Sequence, residues 1–364
     1  MTKKLKKIVI ASGGTGGHIF PAYSLASHFS DRQIKVELIS DKRGFKFIKE
    51  TKSIKINIIP SATIINKNIF RKIVSIIIIF YSFFRSFVFL ILNRPDLVFG
   101  MGGYPSFAFC IASKILGVPF IIYENNFHIG KANKYLLPIS KKIFVSNSSL
   151  EGVVKKYKDK VVEIGNIVRK EILDHKRKDN FKEGKINILI LGGSQAAKIF
   201  GEILPDILKK CSMNKISLRV YQQCLPYQKD NLEAFYRKNN IDAEIFNFDQ
   251  EILNYFSKTN LAITRAGSSV LAELTNLNIP FISIPLPTSA DNHQFKNATY
   301  YKKKNYGFLI DEKDVNSKLY ELLTKITKDK LILDKIINNQ RQFSDKSVYE
   351  NIDQKIINII NEKD

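Results

Sequence analysis

Three short apolar runs in this chain each end in a glycine cluster and then pass into a segment with helical character. The runs and their glycines lie at 7–17, 97–103 and 188–193. A glycine loop between a strand and a helix lets backbone N–H groups approach a ligand closely, and the start of the helix adds partial positive charge. Three such loops at comparable positions predict a fold built from strand–loop–helix units that binds phosphate-bearing ligands.

Strand-like runs alternate with helical segments along the chain. The predicted strands lie at 7–11, 34–39, 54–60, 96–100, 119–123, 142–146, 160–164, 186–191, 216–222, 242–247, 260–264 and 280–284. Repeated strand–helix units imply parallel sheets that are covered by helices on both faces. The sequence therefore predicts an α/β protein of two Rossmann-like, doubly wound domains, with a cleft lined by the loops at the carboxyl ends of the strands.

A polar, charged stretch at 165–185 separates the two series of strands and is the predicted linker. We expect an N-terminal domain at 1–164 and a C-terminal domain at 186–344. A last helix at about 345–364 is expected to pack back on the N-terminal domain. The 364 residues suit two domains of about 150–200 residues each.

Composition excludes several classes of protein. An apolar content of 45% is too high for a mainly disordered chain. The 3 cysteines are odd in number and lack CxxC spacing, which argues against a disulfide framework or a zinc site and fits a reducing cytosol. The net charge of +23 predicts anionic partners, namely phosphorylated substrates, an anionic membrane or nucleic acid. A general bias toward lysine is the alternative explanation for this charge.

The segment 73–92 is exceptionally apolar, since sixteen of its twenty residues are hydrophobic. Its length permits a transmembrane helix, but Arg85 within it is costly near the centre of a bilayer. We expect instead a helix that docks on an anionic membrane surface through 68–94, with Phe83 and Phe87 in contact with lipid. The alternatives are a helix wholly buried in the protein and a true membrane span.

Seven segments occur together in a characteristic order. They are Gly13–Ala22, Gly100–Ser106, Tyr123–Asn126, Gly165–Arg169, Gly192–Ala197, Arg265–Glu273 and Asp291–Ala298. In this combination the chain resembles the bacterial peptidoglycan glycosyltransferases that make lipid II, which belong to glycosyltransferase family 28. The resemblance implies a GT-B fold. It also implies transfer of N-acetylglucosamine from UDP-GlcNAc to lipid I, the undecaprenyl-linked muramyl-pentapeptide.

The resemblance also implies which residues hold the UDP-sugar donor. Ser194 would contact phosphate, Glu273 the ribose hydroxyls, Phe248 the uracil, and Gln294 the sugar. The full expected donor set is Thr15, Gly16, Gly17, Asn126, Arg169, Ser194, Phe248, Ser268, Ser269, Val270, Leu271, Ala272, Glu273, His293 and Gln294.

The acceptor side and the catalytic base follow from the same resemblance. Gly102, Gly103 and Tyr104 would cradle the acceptor diphosphate. From the residues alone, His18 is a general base, a hydrogen-bond donor to phosphate or a helix cap; the resemblance favours the base, with Glu124 in reserve. No cofactor and no bound metal are expected.

Four departures from the family pattern stand at Asn125, Ile167, Ala196 and Ser268-Ser269. The nearest alternative function is a UDP-sugar:diacylglycerol glycosyltransferase of the same fold. A basic nucleic-acid-binding protein is disfavoured because the chain has neither zinc-finger spacing nor an RNP-like aromatic motif. The expected location is the cytoplasmic face of the plasma membrane, as a peripheral protein near other cell-wall synthesis proteins.

Overall fold

The computed structural model describes residues 4–48, 53–62, 69–176, 185–247, 252–329 and 331–362, with the backbone alone at Arg71 and at 194–197. The chain divides into two compact units. Unit 1 comprises Met1–Arg169 together with Asp345–Asp364, and unit 2 comprises Lys170–Ser344. The change from unit 1 to unit 2 at Arg169 therefore falls within the stretch 165–185.

Unit 1 is built on a parallel sheet of seven strands. They are β1 (Lys7–Ala11), β2 (Lys35–Ser40), β3 (Lys55–Ile58), β4 (Leu97–Gly100), β5 (Phe120–Glu124), β6 (Ile143–Val145) and β7 (Val161–Glu163). Their order across the sheet is β3-β2-β1-β4-β5-β6-β7. The helices of this unit before the crossing to unit 2 are α1 (Gly16–Asp31), α2 (Lys42–Phe45), α3 (Ile69–Asn93), α4 (Tyr104–Ile115) and α5 (Lys131–Leu136).

Unit 2 repeats this architecture with a six-stranded parallel sheet. Its strands are β8 (Ile186–Leu191), β9 (Leu218–Gln223), β10 (Asp242–Phe246), β11 (Leu261–Thr264), β12 (Phe281–Ser283) and β13 (Phe308–Leu309), in the order β10-β9-β8-β11-β12-β13. Its helices are α6 (Lys170–Leu173), α7 (Gly193–Met213), α8 (Lys229–Lys238), α9 (Ile252–Lys258), α10 (Ser268–Asn276), α11 (His293–Lys303), α12 (Val315–Lys328) and α13 (Leu331–Gln340).

All twelve predicted strands are present, and the doubly wound α/β class is confirmed. The strands consist of apolar runs because a parallel sheet with helices on both faces is buried on both sides. Val9 and Val98 are fully buried in the unit 1 core, and Ile188 and Ile263 are fully buried in the unit 2 core. Strand β13 is too short to leave a periodic signal in the sequence.

The last helix, α14 (Val348–Asn361), belongs to unit 1. Its Asp353 carboxylate lies 3.1 Å from His28 Nε2 and 2.9 Å from Arg32 Nη2 on α1. The Tyr349 ring stacks on His28 at 4.7 Å between centroids. These contacts hold the end of the chain against the helix that follows the first glycine cluster.

Helix α3 packs into unit 1 in an unexpected orientation. Ser75, Ser82 and Ser86 are buried, whereas most of the large apolar side chains are exposed. The exposed set is Ile69, Phe70, Ile73, Val74, Ile76, Ile77, Phe80, Tyr81, Phe84, Val88, Ile91 and Leu92. A wholly buried helix is therefore wrong for this segment.

The two phenylalanines that we expected to meet lipid lie on the inner side of α3. Phe83 and Phe87 are partly buried and pack against the unit 1 core, where Leu90 is fully buried. The placement of Phe83 and Phe87 at the lipid surface is therefore wrong. Phe80 and Phe84, which are 70% and 63% exposed, occupy the outer face instead.

Candidate active site

The glycine clusters of unit 1 meet where the strand order of its sheet reverses. The chain leaves β1 toward β2 on one side and reaches β4 on the other, so the loops after β1 and β4 are neighbours. Ala11 is in register with Gly100, and the Met101 N–H donates to the Ala11 carbonyl at 2.8 Å. Open α/β sheets bind their ligands at this kind of switch point, outside the carboxyl ends of the strands.

Two glycine loops interlock at this point. We call residues 12–17 glycine loop 1 and residues 100–103 glycine loop 2. A Cβ built on Gly102 would lie 2.6 Å from His18 Nδ1, and one built on Gly103 would lie 2.5 Å from the Gly13 carbonyl oxygen. Both positions have positive φ, +92° and +82°. Glycine is therefore needed at Gly102 and Gly103 for two reasons, namely backbone conformation and lack of space.

Helix α1 begins within glycine loop 1 and carries His18 in its first turn. Thr15 is the N-cap, and its carbonyl accepts the His18 N–H at 3.1 Å. Thr15 and Gly17 are exposed, whereas Gly16 and His18 are half-buried. The expected donor contacts of this loop and the candidate base thus lie on one accessible turn, and Tyr104 starts α4 beside them.

The loop after β5 supplies a third part of this edge. Glu124 is 3% exposed, and its carboxylate accepts four hydrogen bonds. The donors are the backbone N–H groups of Asn126 (3.2 Å) and Gly130 (2.8 Å) and the side-chain amides of Asn126 (2.9 Å) and Asn133 (3.0 Å). A carboxylate held in this way favours a structural role for Glu124, which orients Asn126, and it leaves His18 as the leading candidate base.

Asn125, which departs from the family pattern, links this loop to α1. Its side-chain amide donates to the Gly17 carbonyl at 3.1 Å, and its own oxygen accepts from Asn126 at 3.2 Å. Glycine loop 1 is therefore tied to the loop after β5 at the turn that carries His18. Asparagine is long enough to make this contact at position 125.

Asp41 is a residue of this site that sequence reasoning missed. It follows β2 and is 2% exposed. Its Oδ1 accepts the N–H groups of Gly14 at 3.0 Å and Gly44 at 2.8 Å, and its Oδ2 accepts from Ser61 at 2.6 Å and Arg43 at 2.9 Å. Burial raises the pKa of Asp41, but these four hydrogen bonds together lower it below its usual value, so the carboxylate is ionised at neutral pH.

The stretch that ends in Arg169 is anchored within unit 1. The Asn166 N–H donates to Asp345 at 2.8 Å, the Ile167 N–H to the Tyr123 hydroxyl at 3.1 Å, and the Tyr349 hydroxyl to the Val168 carbonyl at 2.7 Å. Arg169 itself lies over the Phe20 ring of α1, with 5.5 Å between the guanidinium carbon and the ring centroid. The expected donor-binding arginine is thus placed beside the helix that carries His18.

Unit 2 has an equivalent switch point between β8 and β11. Two glycines, Gly192 and Gly193, follow β8. Gly193 has φ +66°, and no heavy atom of the described residues lies within 4 Å of a Cβ built there. Helix α7 begins at Gly193, so its first backbone N–H groups face the same edge as the start of α10. The Ser194 side chain and Phe248 lie outside the described residues.

Arg265, between β11 and α10, is a buried structural residue. Its guanidinium donates to the carbonyls of Ile284 at 3.1 Å and Pro285 at 3.2 Å, and it pairs with Glu312. The Asn297 amide donates to the Ala266 carbonyl at 3.1 Å. These contacts fix the turn from which α10 begins.

The expected donor residues on α10 differ in accessibility. Ser269 and Val270 are half-buried, and Ser268 is buried at the start of the helix. The Leu271 and Ala272 side chains are fully buried and belong to the hydrophobic core. Glu273 is 8% exposed, which is unusual for a glutamate without a functional or structural demand.

The expected sugar-binding pair lies at the start of α11. The Leu286 N–H donates to Gln294 Oε1 at 2.9 Å, and His293 Nδ1 lies 2.7 Å from the Ala290 carbonyl. Asp291 and Asn292, just before them, both have positive φ, +49° and +55°. Such a backbone conformation is uncommon outside glycine and tends to occur at functional sites.

Within each unit, the expected residues collect at the carboxyl edge of the sheet. In unit 1 this edge carries His18, the two glycine loops, Tyr104 and Asn126; in unit 2 it carries the starts of α7 and α10. Among the described residues, no group of three or more His, Cys, Asp or Glu could hold a metal ion. The arrangement suits binding of anionic groups by backbone N–H donors, with the His18 imidazole at the same edge of unit 1 as the candidate for proton transfer.

Comparison with known proteins identifies both halves. The N-terminal domain of glycosyltransferase family 28 matches residues 8–145, and the C-terminal domain of that family matches residues 187–354. Among solved structures, Acinetobacter baumannii MurG has a TM-score of 0.76 at 22% identity and covers 96% of this chain and 98% of its own. The S. aureus MnaA–UDP co-structure has a TM-score of 0.69 at 16% identity, with 99% of each chain covered. The fold is GT-B.

Two curated relatives are similar over nearly their whole length. A UDP-N-acetylglucosamine–N-acetylmuramyl-(pentapeptide) pyrophosphoryl-undecaprenol N-acetylglucosamine transferase from Pelagibacter ubique is 36% identical over 98% of this chain and 99% of its own. The enzyme of the same name from Rickettsia bellii is 34% identical over 92% of this chain and 94% of its own. At this identity and coverage, the chain belongs to this family of N-acetylglucosamine transferases within glycosyltransferase family 28.

Proposed function

We propose that this chain transfers N-acetylglucosamine from UDP-GlcNAc to the 4-hydroxyl of the muramyl sugar of lipid I, which gives lipid II and UDP. The observation that carries the proposal is 36% identity to a transferase of that name over 98% of the chain. The reaction follows from the chemistry of the substrates. The acceptor oxygen attacks the anomeric carbon, the bond to the UDP oxygen breaks on the opposite face, and the configuration inverts.

In this mechanism, His18 accepts the proton of the attacking hydroxyl. Its position at the start of α1, with the ring against Gly102, fixes the imidazole on an accessible turn. Gly102, Gly103 and Tyr104 hold the acceptor diphosphate, and the Asn126 amide, which Glu124 orients, binds the donor sugar. Thr15, Gly16, Gly17 and Arg169 complete the unit 1 contacts to the donor.

Unit 2 binds the donor nucleotide. The N–H groups at the start of α7 stabilise the negative charge that builds on the UDP diphosphate as the bond breaks. Ser194 contacts phosphate, Phe248 the uracil, and Gln294 with His293 the sugar hydroxyls. The accessible part of Ser268–Glu273 lines the nucleotide, with Glu273 on the ribose.

A direct assay tests the function against its alternative. The purified protein is given lipid I or diacylglycerol as acceptor and UDP-GlcNAc or UDP-glucose as donor. We expect product only from lipid I with UDP-GlcNAc. Transfer to diacylglycerol, with none to lipid I, would instead establish the diacylglycerol glycosyltransferase.

The Glu273→Gln variant tests the donor site. The change keeps size and removes the charge, so we expect the KM for UDP-GlcNAc to rise roughly 10- to 100-fold, the usual value of a hydrogen bond to a charged group. Calorimetric titration with UDP should show the same loss. The matched control is Glu233→Gln on α8, where the carboxylate is 40% exposed and faces Lys229. Equal UDP affinity in the two variants would show that Glu273 does not bind the donor.

We also propose that α3 docks the protein on the anionic cytoplasmic leaflet. Lys72–Asn93 is the one stretch, among the described residues, that is long and apolar enough to cross a membrane by length and composition. Its serine face and Leu90 are buried in unit 1, so the outer face is left for the membrane surface. At the membrane interface, the serine face of α3 packs on unit 1 and its outer apolar face contacts lipid. The basic residues Lys72, Arg85 and Arg94 would meet anionic headgroups.

The double variant Phe80→Ser, Phe84→Ser tests this docking. Burying one phenylalanine is worth about 1.5–3 kcal/mol, so partitioning onto anionic vesicles should fall at least ~100-fold. Co-sedimentation with vesicles of phosphatidylglycerol and phosphatidylethanolamine measures it. The control is Tyr227→Ser in unit 2, an aromatic residue of similar exposure, 65%. Equal sedimentation of the double variant and wild type would refute docking through this face.

A further inference from the structure

We propose that Asp41 is a positioning residue for sugar transfer, in which its Oδ1 atom holds glycine loop 1 in the conformation that presents His18. The inference rests on the proposed function, since it assigns Asp41 the task of placing the proposed base. Asp41 is separated from His18 in sequence and lies outside the seven segments that carry the resemblance to the family.

The contacts of Asp41 join two separate parts of unit 1 through one oxygen. Oδ1 accepts the N–H of Gly44 in the first turn of α2, and also the Gly14 N–H, which is 27 residues away in glycine loop 1. Capping α2 requires the first of these bonds. The second bond does nothing for α2, and its effect is to fix the loop.

Contacts hold glycine loop 1 at several successive places, and the Asp41 contact is charge-assisted. Gly13 packs against Gly103, Gly14 bonds to Asp41, and the Gly17 carbonyl accepts from Asn125. Gly14 has φ +91°, and no atom of the described residues lies within 4 Å of a Cβ built there, so side-chain packing at this point does not define its conformation. A hydrogen bond to an ionised acceptor is about twice as strong as one between neutral groups, and it defines that conformation here.

The carboxylate is itself held in place. Its second oxygen, Oδ2, accepts from Ser61 at 2.6 Å and from Arg43 at 2.9 Å. These bonds keep Oδ1 pointed at the two glycines, and the lowered pKa of Asp41 keeps it ionised at the pH of the cytosol. A shift of about 1 Å in a catalytic group costs up to ~100-fold in rate, so the position of this oxygen matters for turnover.

Two substitutions separate loop positioning from helix capping. In Asp41→Ser the hydroxyl still caps α2, because serine is a good N-cap, but it is too short to serve Gly14 as well. We expect kcat to fall about 10- to 100-fold, while the affinity for UDP, whose proposed contacts lie in unit 2, stays the same. In Asp41→Asn the side-chain oxygen can still accept both amides, but it is neutral and the NH2 group replaces the oxygen that Arg43 holds. We therefore expect a smaller fall in kcat than in Asp41→Ser, about 2- to 10-fold.

Asp96→Ser is the matched control. The Asp96 Oδ2 atom also accepts two backbone N–H groups, those of Lys6 and Lys7, each at 2.9 Å, but it does so at the amino end of β1, away from the site. All variants are compared for melting temperature, UDP affinity and kcat per folded protein. A kcat for Asp41→Ser equal to that of Asp96→Ser would overturn the proposal, as would an equal loss in Asp41→Asn and Asp41→Ser.

A measurement on the wild type covers the case in which Asp41→Ser does not fold. The Gly14 N–H should exchange with solvent much more slowly than an open loop amide, and exchange at the open-loop rate would overturn the proposal. Failure of the proposed function is distinguishable, because it would leave the wild type itself without transfer to lipid I.

Discussion

Replacement of His18 by alanine is expected to lower kcat about 10²- to 10⁴-fold, the usual contribution of a general base. Donor affinity should change little, because the nucleotide contacts proposed above lie in unit 2. The physical reason is that the attacking hydroxyl must lose its proton as the new bond forms. In the variant, that proton passes to water, which is a weaker base.

The variant His18→Asn separates two of the three roles that the sequence leaves open for the imidazole, the general base and the hydrogen-bond donor to phosphate. Asparagine can donate a hydrogen bond to phosphate but cannot accept a proton at neutral pH. A general base therefore predicts that His18→Asn is as slow as His18→Ala and that added imidazole partly restores the alanine variant. A phosphate donor predicts that His18→Asn recovers most of the rate. His175→Ala is the control, since that ring contacts Ser257 in unit 2. A rate near wild type in His18→Ala would exclude the base role.

The sequence predicts the strands and their glycine loops because both depend on local chemistry. A strand buried on both faces must be apolar throughout, as in Ile188–Leu191, and a close backbone approach such as Gly103 on Gly13 demands glycine. These requirements act at single positions, so they can be recognised in the sequence without knowledge of the fold. The doubly wound class follows from their repetition.

The orientation of α3 could not be predicted from the sequence in the same way. Ser75, Ser82 and Ser86 form a narrow polar stripe in the sequence of this apolar helix, but the Ser86 Oγ donates to the Ser82 carbonyl at 2.7 Å. A serine whose hydroxyl donates to a carbonyl of its own helix needs no other hydrogen-bond acceptor, so it packs as a small residue. Small side chains let α3 approach the unit 1 core closely, and the bulky Phe80 and Phe84 are left outside. The contacting surface, rather than composition, decides which side faces inward.

The role of Asp41 could not be predicted from the sequence for a different reason. It is one of 34 acidic residues, and its partner Gly14 lies on another strand's loop. The feature that marks it is its place directly after β2, where the carboxyl end of that strand meets the loop after β1. Parallel neighbours bring these loops together, so a lone acidic residue at such a position is a candidate for loop support once the strand order is known.

Replacement of Gly103 by alanine is the second large effect, with kcat expected to fall more than ~100-fold. Gly103 is the N-cap of α4 and has φ +82° and ψ 168°, a conformation that is essentially restricted to glycine. An added Cβ would lie 2.5 Å from the Gly13 carbonyl oxygen and 2.9 Å from its carbon. Both are backbone atoms, so glycine loop 1 must move as a whole, and His18 moves with it.

Gly117→Ala is the matched control for backbone strain. Gly117 follows α4 and has φ +67°, and within the described part of the chain no heavy atom lies within 4 Å of a Cβ built there. Strain alone costs about 1–2 kcal/mol at a left-handed position, so both variants should melt at lower temperature. Only Gly103→Ala should lose turnover, because only there does the methyl group push two loops apart. Gly102→Ala adds a direct test, since its Cβ would press on the His18 ring at 2.6 Å. Equal kcat in the Gly103 and Gly117 variants would mean that the contact between the loops does not place the base.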